Sequence, residues 1–293
     1  MTHLQSLLLL LLLLAIAAHP ANAAYRQVVE EDFSYKAAKG DYICKISGMN
    51  GVDCSRFLKE NPRNSDKVRI GDTFRITRRT IIPEAIPDGI IINIPDRTLY
   101  LIRDGKLAAH YPLALGKRTW QTPLGGFTVK SKRLKPTWRV PVSIQKEMAK
   151  KGEPVKTVVL PGKDNPLGDY ALGLSIQGVL IHSTIWPESI YGFRSHGCIR
   201  LKPADAEACY NAVKVGDKGV IIYEPVKLAV IDTGRVYLEV HQDVYRKNGD
   251  LLAEAERQIN EAGLSGIVDS EKVRAVAAAK EGVATDVTRV FTP

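Results

Sequence analysis

Between residues 88 and 224 the chain is a succession of short apolar runs separated by turn residues, and this spacing limits the fold more than any other feature. Ile90-Ile91-Ile92-Asn93-Ile94 and Thr98-Leu99-Tyr100-Leu101-Ile102 read as strands, and Asp104-Gly105 reads as a tight hairpin turn into a third strand at 107–115. Phe127-Thr128-Val129 and the runs at 170–174, 179–181 and 219–223 continue the series. Short strands without long helices between them imply a mainly β core, a sandwich or open barrel. The clearest helix is expected at 203–215, where Pro203 suits the first turn and Ala206, Cys209, Tyr210 and Val213 recur on one face. Cys209 is therefore expected in the core. With 45% apolar residues in 293, the chain has enough for a sizeable core and more than one domain.

One stretch carries chemistry. Cys198 stands in Ser195-His196-Gly197-Cys198-Ile199-Arg200-Leu201, and His182 precedes it at the end of the apolar run Val179-Leu180-Ile181. A thiolate is the strongest nucleophile among ordinary side chains and needs a nearby base or positive charge to exist near neutral pH. His182 is the candidate base. Gly197 permits a tight backbone that exposes the sulfur, and the amide N–H groups of Gly197 and Cys198 can bind an oxyanion. Arg200 offers a planar fork for a substrate carboxylate. A carbonyl or hydroxyl of Ser183 or Ser195 would set the tautomer of His182.

The His182…Ser195-His196-Gly197-Cys198-Ile199-Arg200 arrangement resembles the signature of the L,D-transpeptidases, YkuD-type bacterial enzymes that join peptidoglycan stem peptides. Further motifs of that family stand in order upstream: Thr122-Pro123-Leu124-Gly125-Gly126-Phe127, Pro136-Thr137-Trp138 before Pro141, and Asn165-Pro166-Leu167-Gly168. The resemblance covers about half the chain. It implies a cysteine acyltransferase that takes a tetrapeptide stem as donor, attacks the L-to-D link at its third residue, and passes the acyl group to an amine. It places Trp138 and His196 beside Arg200 among the substrate-binding residues, although no chemical role for His196 follows from the sequence. The acceptor stays open between a second stem peptide, a lysine of an outer-membrane lipoprotein, and water. Water would make the protein an L,D-carboxypeptidase; a non-catalytic peptidoglycan-binding protein is a further alternative. A zinc hydrolase using His182, His196 and Cys198 is disfavoured, because neither CxxC nor HExxH spacing occurs. No cofactor or metal is expected.

The remaining segments surround this region. Residues 1–23 read as a secretory signal peptide, with Leu7 through Leu14 as the apolar run and Ala21-Asn22-Ala23 as the cleavage site, though no Lys or Arg precedes the run. The run is too short to span a bilayer, and nothing later approaches that length, so a periplasmic protein without a stable membrane span is expected. Residues 24–83, with two Gly-Asp turns around a helical middle, suggest strand–helix–helix–strand and look like a LysM module, the sugar-binding unit of cell-wall proteins. Cys44 and Cys54 fall outside the common LysM pattern. In an exported chain they suit a disulfide, with two free thiols as the alternative. Residues 81–88 hold two prolines and read as a linker into the catalytic region, 84–224. The C-terminal extension, 225–293, is expected as a hairpin around Asp232-Thr233-Gly234 followed by helices near 251–262 and 270–280, a small α/β unit.

The formal net charge is +9, and its excess sits mainly on 84–224. Lys130, Lys132, Arg133, Lys135, Arg139, Lys146, Lys150, Lys151 and Lys156 face only Glu147 and Glu153 in one stretch. Without interleaved aromatics or a nucleic-acid motif, this run points to an anionic polymer or a carboxylate-bearing peptide, or simply to a solvated face, and not to nucleic acid.

Overall fold

Strand β1 (Val28–Lys36), helices α1 (Ile43–Met49) and α2 (Cys54–Glu60), and strand β2 (Thr73–Ile81) open the computed structural model, which describes residues 24–290 apart from 64 and 66. The expected signal segment, 1–23, lies outside the described residues. β1 and β2 pair antiparallel along their whole length, from Val28↔Ile81 to Lys36↔Thr73. The two helices are far shorter than a helix that persists alone in water. They are held by an apolar core including Ile43, Ile46, Phe57 and Phe74, and by a Cys44–Cys54 disulfide with the Cα atoms 4.9 Å apart.

The segment read as a linker is not free. Ile81 and Ile82 are 0% and 1% exposed. Ile81 packs with Ala229, Tyr237 and Ala284, and Ile82 with Ile91, Tyr100 and Ile102. Prolines end the strand as expected, but two adjacent isoleucines find burial in the seam between units.

The middle unit runs through β3 (Gly89–Asn93), β4 (Thr98–Arg103), β5 (Lys106–Gly116), β6 (Gly125–Leu134), β7 (Trp138–Arg139), α3 (Val142–Lys150), β8 (Val158–Val159) and β9 (Tyr170–Leu174). β10 (Leu180–His182), β11 (Phe193–Ser195), β12 (Ile199–Leu201), α4 (Pro203–Ala212) and β13 (Lys218–Ile222) complete it. The sheet order is β11-β5-β12-β10-β9-β6-β13-β3-β4, and β4 also pairs with β5. That extra pairing closes eight strands into a ring, with β11 laid beside the end of β5. The long β5 makes closure possible: its 98–103 partner takes the first part, while Leu113 and Ala114 take β12 and the last residues take β11. The interior holds Ile90, Ile92, Leu99, Leu113, Phe127, Leu172, Ile181, Ile199 and Cys209, among others.

Two elements differ from expectation. β6 extends to Leu134 because the backbone from Ser131 to Leu134 pairs with β9 past an irregularity at Lys130, while the side chains of Lys130 and Arg133 stay exposed. A charged run hides such a strand, since ladder bonds need no apolar alternation. α4 ends at Ala212 because Val213 turns extended, at φ −98° and ψ 143°.

The last unit contains β14 (Val226–Val230), β15 (Val236–Val240), α5 (Leu251–Glu261), α6 (Ser270–Ala279) and β16 (Thr285–Asp286). Asp250 and Asp269 cap the two helices by accepting from backbone amides of their first turns. The three strands form one antiparallel sheet, and Tyr25 adds to it beside Ala229.

All three units meet at Lys227, which is fully buried. Its Nζ lies 2.9 Å from Asp96 Oδ2, 3.0 Å from Glu239 Oε1 and 2.8 Å from the Ile81 carbonyl. Glu239 in turn accepts from Ile81 N at 2.6 Å and lies 2.6 Å from His241 Nε2. Asp96 also accepts from the Tyr100 hydroxyl and the Asn93 amide. Burial alone would push the Lys227 pKa down, but the two carboxylates raise it. Burial would push Glu239 up; Lys227 and His241 bring it down to about 2. Asp96 and Glu239 thus flank a cation supplied by the chain itself, and His241 braces Glu239.

A folded-state pKa below the unfolded value adds stability above the unfolded value that is lost as pH falls through the folded one. Glu239→Gln is accordingly expected to lower the free energy of unfolding in urea at pH 7 by about 3–5 kcal/mol. It should also flatten the loss of stability between pH 4.5 and about 2 that the unsubstituted chain shows. An unchanged urea midpoint would mean that the network contributes nothing.

Candidate active site

β10 and β12 run side by side in parallel, with Ile181 opposite Ile199 and His182 opposite Arg200. Alternation then sorts the side chains. Ile181, Ile199 and Leu201 enter the core, while His182, Cys198 and Arg200 line one cavity of about 920 Å³. The imidazole and the sulfur, sixteen residues apart in sequence, are brought to the same wall by adjacent strands. Trp138, Ser195 and His196 line it as well.

His182 is 4% exposed, and its Nδ1 lies 2.5 Å from the Ser183 carbonyl. A carbonyl can only accept, so Nδ1 carries the proton and Nε2 keeps its lone pair. Burial, and then the positive charge of Arg200, push the His182 pKa down to about 4, against the opposing carbonyls of Ser183 and Leu167. Burial also pushes the Cys198 thiol up, with the Leu180 backbone and Arg200 opposing. Cys198 and Cys209 are both free, and Cys209 lies fully buried in the barrel core.

Gly197 sits at φ +103°, a conformation that side chains rarely adopt. Its N–H was expected to be open for an oxyanion. It instead donates to Ser195 Oγ at 3.2 Å, and that hydroxyl donates to the Cys198 carbonyl at 2.5 Å. Ser195 therefore braces the turn that presents the thiol, because the hydroxyl satisfies both backbone groups at once. Ser183 takes part through its backbone carbonyl.

Arg200 lies over the Trp186 ring, 5.5 Å from its centroid. Its buried Nε has no hydrogen-bond partner, and no carboxylate among the described residues pairs with the guanidinium. A desolvated guanidinium facing a cavity without a counter-charge is prepared for an anion.

His196 is tied to a residue the sequence did not single out. Its Nε2 lies 2.6 Å from Glu147 Oε2 on α3 and 3.3 Å from Lys117 Nζ, and its ring meets Trp120 edge-on at 4.8 Å. Glu147 also pairs with Lys151 at 2.8 Å, and these bonds, led by that from Lys151, hold its carboxyl down at about 2. The helix has no buried residue, so this ionic knot is its main tie to the nucleophile loop. Its only sequence trace is as one of two acidic residues inside a basic run. The upstream motifs serve the same walls. Asn165, fully buried, donates to the Pro136 carbonyl at 2.7 Å and accepts from Leu167 N at 3.0 Å. Thr122 accepts from Gly116 N, and Tyr245 of the last unit bonds both residues, fixing the turn that carries Trp120.

A zinc site built on His182, His196 and Cys198 does not fit, since their donor atoms do not come within 4.8 Å of one another as a set.

Comparison with known proteins follows the same region. The family model described as "L,D-transpeptidase catalytic domain" (YkuD) matches residues 87–222. A protein of Escherichia coli strain K12 called "Probable L,D-transpeptidase YcfS" is 31% identical over 91% of this chain and 87% of its own length. Two others from that strain, "Probable L,D-transpeptidase ErfK/SrfK" and "Probable L,D-transpeptidase YbiS", are 32% and 35% identical, covering 73% and 64% of this chain and 69% and 62% of their own. A relative at 31% identity that spans most of both chains, together with a family model whose matched residues include His182 and Cys198, means that the chain is an enzyme of the L,D-transpeptidase family.

Proposed function

We propose that this transpeptidase is exported to the periplasm and acts on peptidoglycan tetrapeptide stems through an acyl-enzyme on Cys198. The observation that carries this reading is the shared wall of His182, Cys198 and the unpaired Arg200. Names of the relatives, the family resemblance of the motifs and the signal-like start support it. The LysM-like first unit fits a wall-facing role.

Both members of the reacting pair rest uncharged in the free enzyme. Burial lowers the His182 pKa and raises that of Cys198, so an imidazolium–thiolate pair, the simplest expectation for such a site, is disfavoured. Neutral His182 then acts as a general base. Its Nε2 takes the thiol proton as Sγ bonds to the carbonyl carbon of the L-to-D link, and the carbonyl electrons move to oxygen. Backbone amides at the Gly197–Cys198 turn receive that oxyanion; for Gly197 this requires release from Ser195 Oγ. A preorganised donor of this kind is worth roughly 3 kcal/mol. Collapse breaks the peptide C–N bond, and the D-residue leaves as an amine with the proton held by His182. The acceptor amine reverses the sequence: it attacks the thioester, gives His182 its proton, and the Cys198 sulfur departs. Arg200 takes a donor carboxylate, with Trp186 and Trp138 forming apolar walls.

Mass spectrometry of the protein incubated with a tetrapeptide donor tests this directly. An adduct on Cys198, released by a second stem, by a lysine-bearing lipoprotein peptide or by water, identifies the acceptor; no adduct anywhere would defeat the proposal. Cys198→Ala is expected to abolish turnover with unchanged circular dichroism. A second measurement addresses the charge state. Alkylation of Cys198 by iodoacetamide should keep rising through and beyond pH 9, because its pKa lies above the ordinary 9.0. A plateau already reached at pH 5–7 would indicate a resting ion pair.

A further inference from the structure

We propose that the first unit braces the active site from behind its lining, its disulfide-closed helix pair positioning the Trp186–Arg200 end of the donor cavity. This deepens the reading of Arg200 given above and rests on it. The loop from His182 to Cys198 contains Trp186, a single 3-10 turn at Pro187–Ser189, and Ile190. Ser189 donates to the Trp186 carbonyl through both its amide, at 2.9 Å, and its hydroxyl, at 2.7 Å. Ile190 N closes on the Pro187 carbonyl at 3.1 Å. Trp186 and the turn therefore move as one piece.

That piece rests on α1. A Cβ at Gly48 would lie only 2.9 Å from the Ile190 carbonyl oxygen, so the helix backbone touches the loop where any larger residue would push it away. On the far side of the nucleophile motif, Lys202 Nζ donates to the Met49 carbonyl at 3.0 Å. The C-terminal turn of α1 is thus joined to the chain both before Ser195 and after Leu201. Its seven residues have no side-chain cap at Tyr42 and are locked to α2 by Cys44–Cys54. Displacing α1 would shift Trp186, and with it the ring on which the Arg200 guanidinium lies.

The test uses the full chain carrying Cys44→Ser with Cys54→Ser, and separately Gly48→Val and Lys202→Met. Donor KM, kcat, the alkylation rate of Cys198 and the thermal midpoint are measured for each, well below that midpoint. The expected result is a donor KM raised on the order of tenfold in the first two and less in the third, with kcat and alkylation nearly unchanged. Unaltered KM in the folded variants overturns the proposal. So does a loss in which KM, kcat and alkylation decline together with the folded fraction. If the first two variants do not fold, Lys202→Met decides alone, and an unchanged KM there is a refutation. Failure of the underlying reading is separable, since it appears in the unsubstituted protein as the absence of any adduct on Cys198.

Discussion

Three units of this chain share one buried positive charge. Lys227 comes from the last unit, Asp96 from the barrel, and the Ile81 carbonyl from the end of the first, while Glu239 bonds Lys227, His241 and the Ile81 amide. Charges withdrawn from water are costly, and the cost is offset only when every partner is in place. No partial arrangement of the units satisfies this ammonium. The network therefore works less as a source of net stability than as a selector of one relative placement, because any displaced unit strands a charge in an apolar seam. Such a placement also sets how the first unit meets the loop between base and nucleophile.

The same economy governs the catalytic wall. A cavity deep enough to exclude water from a scissile peptide also penalises the charged forms of His182 and Cys198. On the proposed mechanism, reactivity is generated on attack, when proton and bond move together, and not stored in advance as an exposed thiolate. Arg200 is the exception, because a guanidinium stays protonated even when desolvated. No partner among the described residues diminishes its attraction for an anion, and on the proposed reading that asymmetry orients a carboxylate-bearing donor.

Much of this could be read in the sequence, for identifiable reasons. Strands such as β3 announce themselves because both their faces are apolar, and helices α5 and α6 because their apolar faces repeat at helical spacing. Cys198 and His182 were visible as residue types with few other uses in that setting. What stayed hidden depends on partners distant in sequence. The outer half of β6 is masked by its charges, and α3 lies in a lysine-rich stretch with no buried face. Glu147 looks like an ordinary counter-charge to its neighbouring lysines until His196 and Lys117 arrive beside it. Lys227 reads as an ordinary surface residue of a hairpin, since nothing nearby in sequence foretells two carboxylates. Isoleucines 81 and 82 were taken for linker because prolines dominate the local pattern, whereas burial is decided by neighbours.

Ring closure gives the barrel an order of assembly. β12 joins β10 on one side and β5 on the other, so Cys198, immediately before β12, is placed by one of the long-range joins of the ring, another being β13 between β3 and β6, and the β5 partner is made long before it during synthesis. Pairings between such distant segments come late in folding, because loop-closure entropy must be overcome before they are rewarded. Until β12 seats between β10 and β5, the wall that His182, Cys198 and Arg200 share is not assembled. A chain whose candidate base and nucleophile meet only through strand pairing has no assembled site before its barrel closes, however early those two residues are made.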